Sequence, residues 1–385
     1  MASRPVVYLD AHATTPCDPA VVEAMTPFWT TTFGNAASLQ HPFGWAANEA
    51  VEQARDHVAR LAGARLRDVV FTSGATESTN LAIKGIIEGC GEPDAEVVTV
   101  VTEHPAVLDP CRWLEQRGTR VVYLPVHGDG LVTASDLEAA LTPRTRLVSV
   151  MAANNEIGVL QPLADLAAAA HRVGAWFHTD ASQALGKVPL DMEAMGIDLL
   201  SCTAHKMYGP KGVGALIVRR KSKVPLAPTQ HGGGHERGLR SGTLNVPGIV
   251  GFGEAARLAR ERVAADAVRV GTLRDRLWSG LQAAVPGVHL RGAATPRLPN
   301  NLNVGFDGVR GRDLVLALDD VAVSPGAACA STSAEPSHVL RALGLSALEA
   351  TSSLRFGLLR TTTAQEIDHV IARLSVVVPA LRSGR

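Results

Sequence analysis

Cysteine is scarce in this 385-residue chain, and the five present, Cys17, Cys90, Cys111, Cys202 and Cys329, are widely scattered. No C-x-x-C pair or short-range cluster occurs, which excludes a zinc knuckle and a disulfide framework and fits a reducing cytoplasm. Net charge is absent too, because Lys plus Arg and Asp plus Glu number 37 each. Nucleic-acid binding draws on a surplus of cations on one face, so the balance argues against nucleic acid as a direct partner. No apolar run approaches the roughly 20 residues of a membrane span, so no direct membrane contact is expected. Met1 to Val6 pass quickly into a short strand-like run and lack the long apolar core of a signal peptide. With 46% hydrophobic and 19% charged residues, the composition is that of a folded globular protein.

From about residue 50 helical and strand-like stretches alternate. Helical patterns span Ala46 to Ala62, Glu77 to Ile87, Pro110 to Arg117, Ala134 to Leu141 and Pro162 to Val173. Apolar strands lie between and after them, at Asp68 to Thr72, Glu96 to Val101, Arg120 to Leu124, Leu147 to Met151, Ala175 to His178 and Asp198 to Ser201. Continuously apolar strands alternating with helices predict an α/β fold with a mostly parallel sheet covered on both faces. Past residue 250 the texture changes. Glu254 to Leu281 reads as one long linking helix, followed by short strands at Asn300 to Val304 and Leu354 to Phe356 and helices at Arg312 to Leu318 and Gln365 to Leu374. This predicts a smaller α+β domain. Ser324 to Pro336 is an irregular, small-residue-rich stretch carrying Cys329, of the kind that is either functional or disordered.

Ligands of open α/β sheets bind at the carboxyl ends of the strands. Polar groups fall at those ends in succession: Ser73 to Thr76, Glu103-His104, Asn154 to Glu156, Asp180 with Gln183, and Thr203 with His205-Lys206. A lysine at the exit of a buried strand loses its charge more easily, and the neutral amine can form a Schiff base with an aldehyde. Taken alone, Lys206 reads more readily as a solvated loop cation. Ser73 to Thr76 would place free helix-start N–H groups where they bind phosphate, or would be an ordinary N-cap. His104 is either a packed histidine or an imidazole that stacks on a planar ring or moves protons. Asp180 would pair with a ring nitrogen or cap the next helix. Asn155 and Gln183 would contact a ring oxygen or serve as turn residues.

Together these residues resemble the pyridoxal-phosphate enzymes of the class V aminotransferase group and, within it, the cysteine desulfurases of the NifS/IscS type. The resemblance runs from Tyr8 to about Asp368. It is carried by Tyr8-Leu9-Asp10 with Ala13 to Pro16, Phe33-Gly34-Asn35, Phe71 to Ser78, Thr102-Glu103-His104, Asn154 to Gly158, and His178-Thr179-Asp180 with Gln183. Ala204 to Gly212, Glu236 to Asn245, Gly326 to Cys329 and Leu354-Arg355-Phe356 complete it. It implies the type I fold of pyridoxal-phosphate-dependent transferases, with a large domain built on a mostly parallel seven-stranded sheet. Residues 1–14 would be an N-terminal arm, 15–258 the cofactor-binding domain and 259–385 the small domain.

By the same resemblance Lys206 would hold pyridoxal 5'-phosphate covalently. Thr76, Thr203, His205 and the backbone of Ala75 would grip the phosphate, and Asp180 would pair with the ring nitrogen. Gln183 and Asn155 would contact the ring's other edge, and His104 would stack on its face. Thr243 would reach the phosphate of a neighbouring subunit, implying a homodimer. Arg355 and Asn35 would hold the substrate carboxylate. Cys329 would be the nucleophile, with Lys206 and His104 as the other catalytic groups. The expected reaction converts L-cysteine to alanine and leaves a persulfide on Cys329. That sulfur would pass to an acceptor or iron–sulfur scaffold protein, or to tRNA or DNA thiolation. No resident metal is implied, although Cys329 could ligate an iron–sulfur cluster during transfer. His231 and His235 form H-x-x-x-H, but the intervening glycines argue against a helical zinc site. Selenocysteine lyase and cysteine β-lyase remain the enzymatic alternatives, and an idle sulfur-transfer scaffold the non-enzymatic one. The chain departs from the common pattern at Ala11-His12, which follows Asp10 where an Asn-Ala pair is usual.

Overall fold

The computed structural model describes residues 6–326 and 336–384. Its first half contains β1 (Val7–Tyr8), α1 (Pro19–Met25), α2 (Pro27–Thr30), α3 (Pro42–Leu61), β2 (Val69–Thr72), α4 (Ala75–Cys90), β3 (Glu96–Val100), α5 (Pro105–Glu115), β4 (Arg120–Leu124), α6 (Ala134–Ala140), β5 (Thr145–Ser149), α7 (Leu163–Arg172) and β6 (Trp176–Asp180). The second half adds β7 (Leu199–Thr203), β8 (Gly214–Val218), α8 (Val246–Ala284), β9 (Val288–Leu290), β10 (Asn301–Phe306), α9 (Gly311–Ala317), β11 (Val321–Ala322), β12 (Ser324–Pro325), α10 (His338–Ala342), α11 (Ala347–Thr351), β13 (Ser353–Gly357) and α12 (Ala364–Ser383).

Seven strands form the main sheet in the order β2-β8-β7-β6-β5-β3-β4. β8 runs antiparallel to both neighbours, and the other pairs are parallel. The continuous apolar runs have a direct cause. Neighbouring residues on one strand point to opposite faces, and both faces are covered. Val98, Val148 and Leu200 pack with Val51, Leu166 and Phe252 of α3, α7 and α8. Their neighbours Val97, Leu147 and Leu199 pack with Leu81, Ile86 and Leu114 of α4 and α5.

A four-stranded sheet, β12-β13-β10-β9, is antiparallel throughout. Its core joins Leu302, Val304, Leu354 and Phe356 to Leu374 of α12 and to Val270, Leu277 and Leu281 of α8. Helix α8 thus serves both cores. It starts earlier than the expected Glu254, because Asn245 caps it through Gly248 N–H (3.2 Å) and Pro247 fits its first turn. The N-terminal strand β1 pairs in parallel with β11, and Leu9 lies in the second core. The arm is therefore woven into the C-terminal part of the fold.

A further helix start is corrected by the structure. α5 begins at Pro105, with His104 as its N-cap, and Pro110 lies inside it. Pro105 suits the first turn, where its missing N–H has no helical partner to lose. Helix α12 runs on past Leu374 to Ser383, started by a capping box between Thr363 and Glu366. Among the described residues no helix is long and apolar enough to cross a membrane.

The irregular segment before α8 is fastened to α3 and β2 through buried Glu236, which pairs with Arg55 of α3. Glu236 accepts from Arg55 Nη1 and Nη2 at 2.7 and 2.8 Å and from Phe71 N–H at 2.7 Å. Glu236 and Arg237 both hold positive φ, 47° and 59°, a conformation that persists only where surroundings impose it. Replacing Glu236 with Ala leaves the buried Arg55 guanidinium with only the half-exposed Glu52 as counter-ion, and strands the Phe71 backbone donor. Urea unfolding of Glu236→Ala should show a loss of about 3–5 kcal/mol, far above the change from an exposed control such as Glu138→Ala.

Candidate active site

The carboxyl ends of β2, β3, β5, β6 and β7 open on one cavity of about 560 Å³. At β7, Thr203 leads into a single 3-10 turn, Ala204–Lys206. That turn is clamped by Thr15, just after the N-terminal strand β1. Thr15 N–H and Oγ1 both donate to His205 O at 2.9 Å, and Tyr208 N–H donates back to Thr15 Oγ1 at 2.9 Å. Tyr208 is held at φ 66°, with the Arg360 guanidinium 3.8 Å from its ring centre. His205 Nδ1 meets Thr14 Oγ1 at 3.1 Å. These bonds present Lys206 to the cavity from a rigid base.

The opposite end of the cavity is the start of α4. Gly74 occupies the N-cap position and supplies no side-chain cap, so neither Ser73 nor Thr76 plays that part. Glu77 instead receives Ser73 N–H (2.7 Å) and Arg240 Nε (2.8 Å). Burial raises the Glu77 carboxyl, but the Arg240 guanidinium and the Ser73 donors outweigh it and hold the group below its ordinary range. A side chain at Gly214 of β8 would stand 2.5 Å from Cys202 O and 2.7 Å from Gly74, so only glycine lets β8 pass under this turn.

Between these ends Asp180 reaches the cavity from β6 while its Oδ1 accepts from Ser182 N–H (2.9 Å). His178, on the same strand, is buried between Ser149 Oγ (2.8 Å) and Ser201 Oγ (2.9 Å). Burial drives its pKa down to about 4. His104 accepts Ala106 N–H on Nδ1 (3.1 Å), and burial keeps the ring below its ordinary pKa. The neutral ring therefore carries its proton on Nε2. Burial lowers His205 to about 4, helped by the charges of Lys206 and Lys211.

Ala75, Thr76, His104, Asn155, Asp180, Gln183, Thr203, His205 and Lys206 all line this cavity. Arg355 does not. It is buried behind Asn155, with Nη1 on Asn155 O (3.0 Å) and Nη2 on Asp10 Oδ1 (2.8 Å). Asn35 and Thr243 are exposed on this single chain. Cys329 lies outside the described residues. Lys187 is a group the sequence reading missed: its Nζ donates to Gln183 Oε1 at 3.1 Å, and burial, then the charges of Lys206 and Arg355, lowers it to about 7. Its place four residues after Gln183, across a turn, was the available signal.

The donor set fits a phosphorylated aldehyde with a basic ring nitrogen. Uncapped first-turn N–H groups of a sixteen-residue helix, with Thr76 and Thr203 hydroxyls beside them, suit a phosphate. The Asp180 carboxylate in a cavity that also presents amines and neutral imidazoles, with the other carboxylate, Glu77, tied to Arg240, suits a protonated ring nitrogen. A family model, aminotransferase class-V, matches residues 7–370. The chain belongs to the aminotransferase class-V family. A cysteine desulfurase IscS of Anaeromyxobacter dehalogenans (strain 2CP-C) is 54% identical over 98% of this chain and 93% of its own length. A solved NifS-like protein superposes with a TM-score of 0.91 at 37% identity, covering 97% of this chain and all of the other. The solved structure of SspA in complex with cysteine gives 0.82 at 36% identity, covering 93% of this chain and all of its own.

Like other class-V aminotransferases, this chain uses pyridoxal phosphate. Borohydride treatment of the loaded protein should fix the cofactor to the peptide containing Lys206 by mass spectrometry. Lys206→Ala should give no such adduct, and an adduct elsewhere would displace Lys206 from this part. A second outcome concerns acid stability. His178 and His205 are neutral when folded, with pKa values near 4, but take protons near pH 6.5 when unfolded. Their stabilising effect is complete above pH 6.5 and is lost as pH falls toward 4. Unfolding free energy should decline across that window, and less steeply in His178→Asn.

Proposed function

We propose that this chain is a cysteine desulfurase in which Lys206, Asp180, His104 and Cys329 carry the reaction. The observation that carries the reading is the meeting of Lys206, Asp180, His104 and the α4 start in one cavity, on a chain 54% identical to a cysteine desulfurase. The related SspA is known in complex with cysteine, which supports L-cysteine as substrate here.

When bound, pyridoxal phosphate supplies an aldehyde that joins to amines and a protonated ring that takes up an electron pair. The α4 N–H groups with Thr76, Thr203 and His205 hold its phosphate, and Asp180 keeps its ring nitrogen protonated. Lys206 Nζ would be the base that takes the substrate Cα proton. His104 Nε2 lies at the same cavity and serves the proton exchange at the substrate thiol. Cys329 as thiolate attacks the substrate sulfur. The S–S bond forms as the Cβ–S bond breaks, and protonation of the carbon fragment completes alanine. Arg355 and Asn35 bind the substrate carboxylate, for which the Arg355 pair with Asp10 must open or reorient.

We read the working unit as a homodimer in the cytoplasm, with two domains meeting along α8 and Thr243 reaching its partner's phosphate. In a chain with few aromatics, Trp29, Phe33, Phe43 and Trp45 are all exposed, and the Phe33 and Phe43 rings stand 5.3 Å apart. Exposed aromatics of this kind mark an interface, and Asn35 lies two residues from Phe33 in sequence. The persulfide sulfur passes to acceptor proteins, iron–sulfur cluster assembly being the destination that the IscS relative's name suggests.

With labelled cysteine, the wild type should accumulate sulfur on Cys329, while Cys329→Ser binds pyridoxal phosphate and accumulates none. Label persisting on that variant would remove Cys329 from the mechanism. Sedimentation should give a dimer, and Phe33→Asp with Trp29→Asp should shift it toward monomer.

A further inference from the structure

His12 sits in a chain of hydrogen bonds whose direction is fixed at its far end. Arg297 can only donate, and its Nη1 gives a hydrogen bond to Asn301 Oδ1 at 3.0 Å. Asn301 therefore presents Nδ2 on its other side, where it donates to Glu156 O (3.2 Å) and to His12 Nε2 (3.0 Å). With Nε2 accepting, the neutral His12 ring carries its proton on Nδ1. That proton goes to Gln183 Oε1 at 3.0 Å. Lys187 Nζ donates to the same oxygen at 3.1 Å. Gln183 Nε2 then donates to His12 O at 3.0 Å. Every member agrees with every other, and reversing any amide would set donor against donor. His12 is 2% exposed and Gln183 likewise, so water cannot substitute for a lost partner. Burial, followed by the charges of Lys187 and Arg355, pushes His12 well below the ordinary imidazole pKa, which preserves the single tautomer that the chain requires.

We propose that His12 is a positioning residue whose ring, tied to Arg297 through Asn301, joins Lys187 Nζ and the His12 backbone carbonyl in pinning Gln183 so that it offers an amide N–H, and not its carbonyl oxygen, to the cavity. An N–H there suits an ionised ring oxygen on the cofactor and would stabilise it, whereas a carbonyl oxygen would repel it. The relay spans the fold: Asn301 belongs to β10 of the four-stranded sheet, His12 to the arm, and Gln183 to the loop after β6. The four-stranded sheet thereby reaches the cofactor site through side chains that touch no substrate. The inference rests on pyridoxal phosphate being the ligand of this cavity.

The test uses the full-length protein loaded with pyridoxal phosphate, without substrate. Three forms are compared: wild type, His12→Phe, which fills the space without donors, and His12→Asn, whose amide can restore a donor at the Nδ1 position. The readouts are the pH midpoint of the bound cofactor's visible absorbance and the cofactor Kd of the apo-protein. His12→Phe should raise the midpoint by about one pH unit and weaken binding about tenfold. His12→Asn should return both toward wild type. Equal midpoints in wild type and His12→Phe, or equal shifts in the two variants, would overturn the proposal, the latter by reducing His12 to packing. Nitrogen-15 spectra of histidine-labelled wild type provide a measurement that needs no variant to fold. The His12 resonance, assigned as the one absent from His12→Asn, should report a protonated Nδ1 and a bare Nε2, and the reverse tautomer would overturn the relay. A wild type that takes up no pyridoxal phosphate would sink the cofactor reading itself, a failure visible before any variant is compared.

Discussion

The clamp between Thr15 and the turn after β7 is the contact on which the rest depends. A reactive amine must be held at a fixed distance from the groups that grip the rest of its ligand, and a strand-end turn alone is too loose for that. Thr15 solves it by using both its backbone and its hydroxyl on His205 and Tyr208. The N-terminal segment that leads into Thr15 is held in turn by β1 pairing with β11 and by Leu9 in the second core. The position of Lys206 is thus set by packing more than a hundred residues away in sequence. The positive φ at Tyr208 is sustained by the same bonds, together with Arg360 N–H donating to the Tyr208 hydroxyl oxygen at 2.5 Å.

A second theme is the handling of charge in a confined space. The cavity and its surroundings hold Lys206, Lys211, Lys187 and Arg355, with Asp180 and Glu77 as counterweights. Burial and mutual repulsion lower Lys187 to about 7 and His205 to about 4. The imidazoles consequently stay neutral and act as hydrogen-bonding groups of fixed direction, while the cationic character falls to the amines and guanidinium. This arrangement favours anionic ligand groups without surrounding them with mobile protons. The Arg355–Asp10 pair is part of it, since an uncompensated guanidinium behind Asn155 would otherwise be buried alone.

The two sheets meet the cavity differently. The seven-stranded sheet supplies its walls directly, from strand ends. The four-stranded sheet acts at one remove: Arg355 of β13 on the backbone of Asn155, Asn301 of β10 on His12, and Asn303 Nδ2 on Glu156 O at 3.2 Å. Helix α8, packed into both cores, keeps the two sheets in register. A change in the C-terminal part of the chain can therefore reach the cofactor without touching it.

Much of this was legible in the residues. Apolar runs alternating with helical patterns specified the main sheet, because burial on both faces tolerates polar residues within strands only where they pair, as His178 does with Ser149 and Ser201. The strand ends marked Ser73 to Thr76, His104, Asn155, Asp180 and Lys206 as neighbours, since parallel strands bring their carboxyl ends to one edge. Helix limits were less well specified. Pro110 looked like a helix start, yet the capping chemistry of His104 and Pro105 places that start five residues earlier. What sequence could not decide were contacts that depend on the relative placement of distant segments. The tautomer of His12, the lowered pKa of Lys187 and the pairing of Arg355 with Asp10 each need three or more elements brought together at ångström precision. Sequence patterns encode periodicity and local caps. They do not encode which buried polar groups face one another, and that was left to the packing of the two cores.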